Sequence, residues 1–291
     1  MRILLILLAV CCIQPSVSAG NSCYSKWTGD TLIIGNNRIE RKFIWNGGNL
    51  ITYSLSDKCN GKTVLSASAT PDFFISKGDK TGLGGDCRVE DIAATDIHPA
   101  YQQTIVTFSV GTLDVKRVYR VYDDCPAIAC DTYLRGTANS VFGDRKNIEF
   151  AEDMKSKSVT AILDQLHFKG QHWHVKTVEF WDVTDWNNNL VTERNIIAYR
   201  KNNYRGNLFF ARNGEDNCGF FFLKEAPCSG VQLAYNGVDF MAEFGKFMVT
   251  GLGITEKDIQ QDRWIQTYSC VTGVYGEGEL QALTALRNYQ K

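Results

Sequence analysis

The sequence predicts an all-β protein, a large sandwich of antiparallel sheets ending in a C-terminal helix. Three observations carry this expectation. Apolar and polar residues alternate with period two along much of the chain, Asn-Gly turns separate the alternating runs, and helical periodicity is confined to the last residues.

The chain opens with MRILLILLAVCCIQPSVSAG. One positive charge at Arg2, an apolar run from Ile3 to Ile13, and small residues at Val17 and Ala19 read as a secretory signal peptide over residues 1–19. The apolar run is shorter than the roughly 20 residues needed to span a bilayer. Val stands where a lipidation site before Cys11 normally has a small residue, which argues against an anchor. The expected location is therefore exported, periplasmic or extracellular. Removing residues 1–19 leaves 30 basic against 32 acidic side chains. That balance gives no field to steer a polyanion, so nucleic acid is not an expected partner.

In NLITYSLS, Ile51, Tyr53 and Leu55 share one parity, and Thr52, Ser54 and Ser56 the other. In QTIVTFSV, Val106, Phe108 and Val110 alternate with Ile105, Thr107 and Ser109. Leu113, Val115, Tyr119 and Val121 share parity in TLDVKRVYRV. Asn36-Asn37, Asn46-Gly47-Gly48, Asn60-Gly61 and Asn213-Gly214 tolerate positive φ and supply the turns. NLFFAR and CGFFFLKE are apolar on both parities, which predicts a hairpin covered on both faces. The region 20–275 carries no Ser/Pro linker or charge run and reads as one domain. Residues 276–291 (GEGELQALTALRNYQK) predict a helix with Leu280, Leu283, Leu286 and Tyr289 on one drifting face.

Eight cysteines follow the leader: Cys23, Cys59, Cys87, Cys125, Cys130, Cys218, Cys228 and Cys270. They form no zinc-type array, and their pairing cannot be read from spacing. Cys125 and Cys130, five apart, fall on opposite faces of a straight strand, so a mutual bond would need a bend at Pro126.

The densest cluster of ligand-type residues is FWDVTDWNNNLV, residues 180–191. Asn and Asp favour a turn there, which lets one tryptophan pack inward and shows the other to solvent. Flat rings suit the C–H faces of sugars, and amides and carboxylates suit hydroxyls. Trp181, Asp185, Trp186, Asn187 and Asn188 are thus the candidate carbohydrate-binding residues, weighed against a packed turn. In HFKGQHWHV, His172 and His174 share a face, but no third ligand follows at a telling spacing. Neither a metal nor a cofactor is expected. GLGGD at 82–86 lacks the context of a phosphate loop and reads as a connection near the sandwich edge.

Several segments in order resemble the N-terminal domain of α-galactosidases of glycoside hydrolase family 36: residues 29–55, DVTDWNNNLV, GNLFFARN, FFFLKEAPCSGVQLAYNGVDF and WIQTYSCVTGVYGEGELQALTALRNYQ. The resemblance implies a β-supersandwich similar to galactose mutarotases, preceding a catalytic (β/α)8 barrel that holds both catalytic aspartates. The nucleophile's Lys-Trp-Asp type motif is met only by SKWTGD and EFWDVT, neither of which fits, and the barrel is outside these 291 residues. Acidic residues such as Glu149, Glu152 and Asp153 read as solvated surface. The implied function is a non-catalytic domain that supports a barrel in the same polypeptide and contacts carbohydrate, with α-galactosides as the candidate sugars. A homo-oligomer stays open. The alternatives are a free-standing carbohydrate-binding or structural sandwich, and an aldose 1-epimerase using His98 or His174 with Glu179.

Overall fold

A computed structural model describes residues 22–66, 69–75, 80–138, 161–169, 172–179, 190–197, 201–215, 219–227, 232, 237–243 and 245–291. The first strands form a five-stranded antiparallel meander: β1 (Tyr24–Thr28), β2 (Thr31–Gly35), β3 (Ile39–Ile44), β4 (Ile51–Asp57) and β5 (Lys62–Leu65). The chain then enters a large sheet through β6 (Asp86–Ile92), β7 (Tyr101–Val110), β8 (Leu113–Tyr122) and β9 (Ala127–Gly136). β10 (Ile162–His167) belongs to a third sheet, and β11 (His172–Glu179) and β12 (Leu190–Ile197) return to the large one. β13 (Asn202–Tyr204), β14 (Leu208–Asn213), β15 (Gly219–Glu225), β16 (Phe240–Glu243), β17 (Lys246–Thr250), β18 (Ile265–Gln266) and β19 (Ser269–Tyr275) follow, before helix α1 (Glu279–Tyr289).

The large sheet runs β12-β11-β14-β15-β19-β9-β8-β7-β6, with β18 paired to β9. The third sheet runs β10-β17-β16-β13. Reciprocal backbone bonds between Phe74 and Ile162 (3.0 and 2.8 Å), with a bridge from Ser66 to Phe168, link the segment after β5 to β10 and the residue that follows it, and residues of all three sheets share the central core. Every strand pair is antiparallel. This is the all-β sandwich that the alternation predicts.

The core follows from the parities. β7 and β8 bury Val106, Phe108, Val110, Leu113, Val115, Tyr119 and Val121, as the pattern requires. In the β14–β15 hairpin, Phe209 and Phe220 meet Phe240 or Phe247 of the smaller sheet and Phe222 packs beside them, while Phe210 and Phe221 face α1. That two-sided cover explains why both parities are apolar, and each buried ring contributes about 1.5–3 kcal/mol. Trp173 packs edge-on to Phe247 with ring centres 4.8 Å apart. Cys125 joins the cluster under α1 and Cys130 the central core, so the two lie on opposite faces without a mutual bond.

Two expectations are corrected. On β4, Ile51, Tyr53 and Leu55 do not share a face: a register shift opposite Lys42/Phe43 turns Thr52 and Leu55 inward and leaves Tyr53 exposed. A bulge re-aims side chains in this way, and Thr52 is needed inside by a buried arginine. On α1, the predicted face is only partly buried: Leu286 and Tyr289 pack on the sheet and the first two leucines do not. Ala282, Ala285 and Leu286 are buried, whereas Leu280 is 78% and Leu283 49% exposed. The helix lies on Phe221, Tyr275 and Val271, and small alanines let it approach those bulky side chains.

Candidate functional site

The predicted sugar residues Trp181, Asp185, Trp186, Asn187 and Asn188 lie outside the described residues. Their attachment is described. β11 and β12 pair in register from His172↔Ile197 to Glu179↔Leu190, so residues 180–189 connect neighbouring antiparallel strands at one edge of the large sheet.

The foot of this connection is fixed by buried polar groups. Glu179 points inward and meets Arg205 at 3.0 Å. Gly206 has φ +133°, and a Cβ there would sit 2.5 Å from the Val178 carbonyl oxygen, so only glycine fits. Its N–H donates to Asp239 at 2.8 Å. Asp239 in turn accepts from Lys224 Nζ (2.7 Å) and Gln232 Nε2 (3.1 Å), all three side chains being buried. Burial pushes the Lys224 ammonium below its usual range, and the Asp239 carboxylate opposes that shift. The next residue, Asn207, donates its N–H to Val178 at 2.9 Å. These bonds tie the end of β11 to the start of β14 at the foot of the connection.

Beside this foot, a groove of about 450 Å3 lies between α1 and the outer face of β11, β14 and β19. Phe210, Tyr275 and Leu283 give it apolar walls, and His174, Lys176 and Arg212 add polar groups. Lys176 closes part of the rim through an ion pair with Glu279 at 2.7 Å. Tyr275 donates its hydroxyl to the Ala211 carbonyl at 3.0 Å, fixing the ring that forms the floor. The volume falls in the range of small-molecule pockets.

The histidines are distributed rather than convergent. His172 and His174 share the outer face of β11 and flank the buried Trp173. His174 and Glu179 lie on opposite faces of that strand, and His98 packs against Tyr101 in the β6–β7 connection. The acid–base pair of an epimerase is therefore not assembled from these residues. The GLGGD loop leads into edge strand β6, where Gly85 donates to the Gly47 carbonyl at 2.7 Å.

No protein-family model matches the sequence, and no curated protein is similar to it. Solved structures are similar in fold. The galactosidase domain of an α-galactosidase–sucrose kinase, AgaSK, matches with TM-score 0.57 and 10% identity over 91% of this chain and 43% of that one. The chain has the sandwich fold of family 36 α-galactosidases. The α-galactosidase from Lactobacillus brevis matches with TM-score 0.53 and 10% identity, over 89% of this chain and 41% of its own. The family 36 enzyme AgaB from Geobacillus stearothermophilus gives 0.51 and 9%, over 88% and 41%. The chain spans about two fifths of the length of these α-galactosidases, a match consistent with their N-terminal domain.

Within this sandwich, a convergent carboxylate pair does exist. Asp72 and Asp164 both bind Arg41, at 2.9 and 2.8 Å, and all three are fully buried. Thr52 gives Asp72 a backbone bond of 2.7 Å and a hydroxyl bond of 2.6 Å. Arg41 comes from the meander, Asp164 from the third sheet, and their neighbour Thr272 from the large sheet. The pair is a brace among three sheets and has no room for a sugar, whereas a retaining glycosidase needs its carboxyls about 5 to 5.5 Å apart across a substrate. Sequence reasoning passed over Arg41, Arg117, Lys224 and Asp239. The usable signal was a charge on the apolar parity: Arg117 falls between Val115 and Tyr119, and Arg41 between Ile39 and Phe43.

Proposed function

We propose that this chain is the non-catalytic N-terminal β-supersandwich of a secreted α-galactosidase-like glycoside hydrolase. It supports a catalytic barrel in the same polypeptide and contacts carbohydrate through the β11–β12 loop. The single observation that carries this reading is a fold likeness covering nine tenths of this chain and two fifths of α-galactosidases. The fixed foot of the loop and the groove beside it support a binding role at that edge. The buried state of the Asp72–Asp164 pair supports assigning hydrolysis to another part of the polypeptide.

The test has two arms. Purified chain is mixed with nitrophenyl α-galactoside, where no turnover above buffer is expected; turnover abolished by changing a carboxylate of this chain would refute the non-catalytic reading. Calorimetric titration with raffinose is then compared for wild type, Trp181→Ala and Trp186→Ala. Binding that weakens at least tenfold in one variant supports sugar contact, and equal heats in all three reject it.

A further inference from the structure

Cys130 and Cys270, distant in sequence, face each other across the β9–β19 ladder as register partners. Both belong to the central core, on the inward face that also carries Ile128 and Leu134 of β9 and Val274 of β19. Both are enclosed, and both are thiols in this structure. Among the described cysteines no other two meet in this way. Cys87 stands opposite Val106, Cys59 is exposed in the β4–β5 turn, and Cys23 and Cys125 precede their strands.

Residues directly opposite on antiparallel strands hold both their Cα and their Cβ atoms about 4.5–5.5 Å apart. A disulfide takes Cα separations of about 4.4–6.8 Å and Cβ separations of about 3.5–4.5 Å. The backbone is thus already at bonding range, and the side chains need to close by about 1 Å. The pairing of β9 shifts by one residue just beyond Cys130, where its partner changes from β19 to β18: Gln266↔Tyr133 keeps a different offset from Cys270↔Cys130. An irregularity of this kind disrupts the ladder locally and lets the strands beside it adjust. Each sulfur bonds the carbonyl of the next residue, Asp131 or Val271, at 3.9 Å, a weak contact that yields to rotation about χ1. Burial pushes both thiols up, against the pull of Arg117 and Arg41, so the enclosed pair carries little thiolate and reacts poorly once the core has closed.

We propose that Cys130 and Cys270 form a disulfide that joins β19 to β9 in the interior of the large sheet. The bond forms while the chain folds, because the core then encloses both sulfurs. The oxidant is another disulfide, of the glutathione or oxidoreductase class. The thiolate of one cysteine attacks it and releases one thiol of the oxidant; the thiolate of the other cysteine attacks the mixed disulfide and releases the second. Two cysteine S–H bonds are lost, two oxidant thiols take up the protons, and two electrons pass from the cysteines to the oxidant. Since β19 leads into α1, the bond also fastens the helix-bearing end of the sheet to its centre. This inference rests on the register and is independent of the functional reading above.

The full chain is produced in two forms, one exported to the periplasm of a bacterial host and purified without reductant, the other made in the cytoplasm and kept in dithiothreitol. Each is unfolded in urea with N-ethylmaleimide to cap free thiols, digested with trypsin and read by mass spectrometry. The exported chain is expected to give peptide 121–135 joined to peptide 264–287, separable by reductant, and the reduced chain to give both peptides capped. Peptide 121–135 also carries Cys125, and fragmentation between Cys125 and Pro126 assigns the joined sulfur to Cys130. The folded, reduced chain, freed of dithiothreitol and exposed to oxidised glutathione, is expected to keep both thiols; a link that appears there overturns formation during folding. Recovery of Cys130 and Cys270 as capped thiols from the exported chain, or a link from Cys270 to any other cysteine, overturns the proposal itself.

Discussion

Asp164 shows how much one buried side chain can hold. It receives Arg41 at 2.8 Å and Arg117 at 3.4 Å, and burial, which pushes a carboxyl up, is overridden by the two guanidiniums, so it stays below its ordinary range. Its contribution to stability is therefore present above the usual carboxylate value and is lost as pH falls. Asp164→Asn leaves two buried cations short of charge and is expected to cost about 3–5 kcal/mol in urea unfolding near pH 7. Asp72 behaves oppositely: burial raises it, and despite Arg41 the nearby Asp164 helps to bring it from 3.8 to about 6. A raised carboxyl stabilises the fold below its unfolded value and loses that contribution as pH rises through its folded value. The stability of wild type relative to Asp72→Asn should thus decline from about pH 4 to about pH 6. Unfolding midpoints of both proteins across that window check the sign.

At the scale of elements, α1 is the sharpest case. Its spacing marks a face of Leu280, Leu283, Leu286 and Tyr289, yet only the last two of these meet the sheet, with Ala282 and Ala285 beside them. Ala285→Glu should therefore cost about 2–4 kcal/mol by placing a charge in the contact, while Leu280→Glu and Leu283→Glu stay within about 0.5 kcal/mol in the isolated chain. Denaturant midpoints of the three variants separate the faces, and destabilisation by the leucine changes alone would reverse the assignment. The β11–β12 hairpin gives a second case, since its foot depends on Gly206 and on the Lys224–Asp239 pair, both distant in sequence from the loop they steady.

For the whole molecule, three sheets share one core and one charged brace. β8, β9 and β19 occupy the interior of the large sheet, whereas β1 and β6 are edge strands with exposed backbones. Amide exchange should be slowest in β8, β9 and β19 and fastest in β1 and β6. Exchange mass spectrometry reads this directly, and uniform protection would contradict a sheet with distinct edges.

The strands were legible wherever one face is apolar, because period-two alternation is a local property of the chain. β7, β8 and the β14–β15 hairpin follow from their own residues. The candidate site was legible only as composition: residues 180–191 gather the tryptophans, aspartates and asparagines behind the expectation of sugar contact, while the groups at their foot come from the β13–β14 connection, β15 and the approach to β16, which no local spacing connects. What the sequence by itself determined is the fold class and the parity of its regular strands. The tertiary structure alone decided the bulge that turns Thr52 inward, the face of α1 that is buried, and the gathering of Arg41, Asp72, Arg117 and Asp164. Those outcomes depend on which sheet lies opposite, and charges far apart in sequence enter a core only when partners from other sheets neutralise them there.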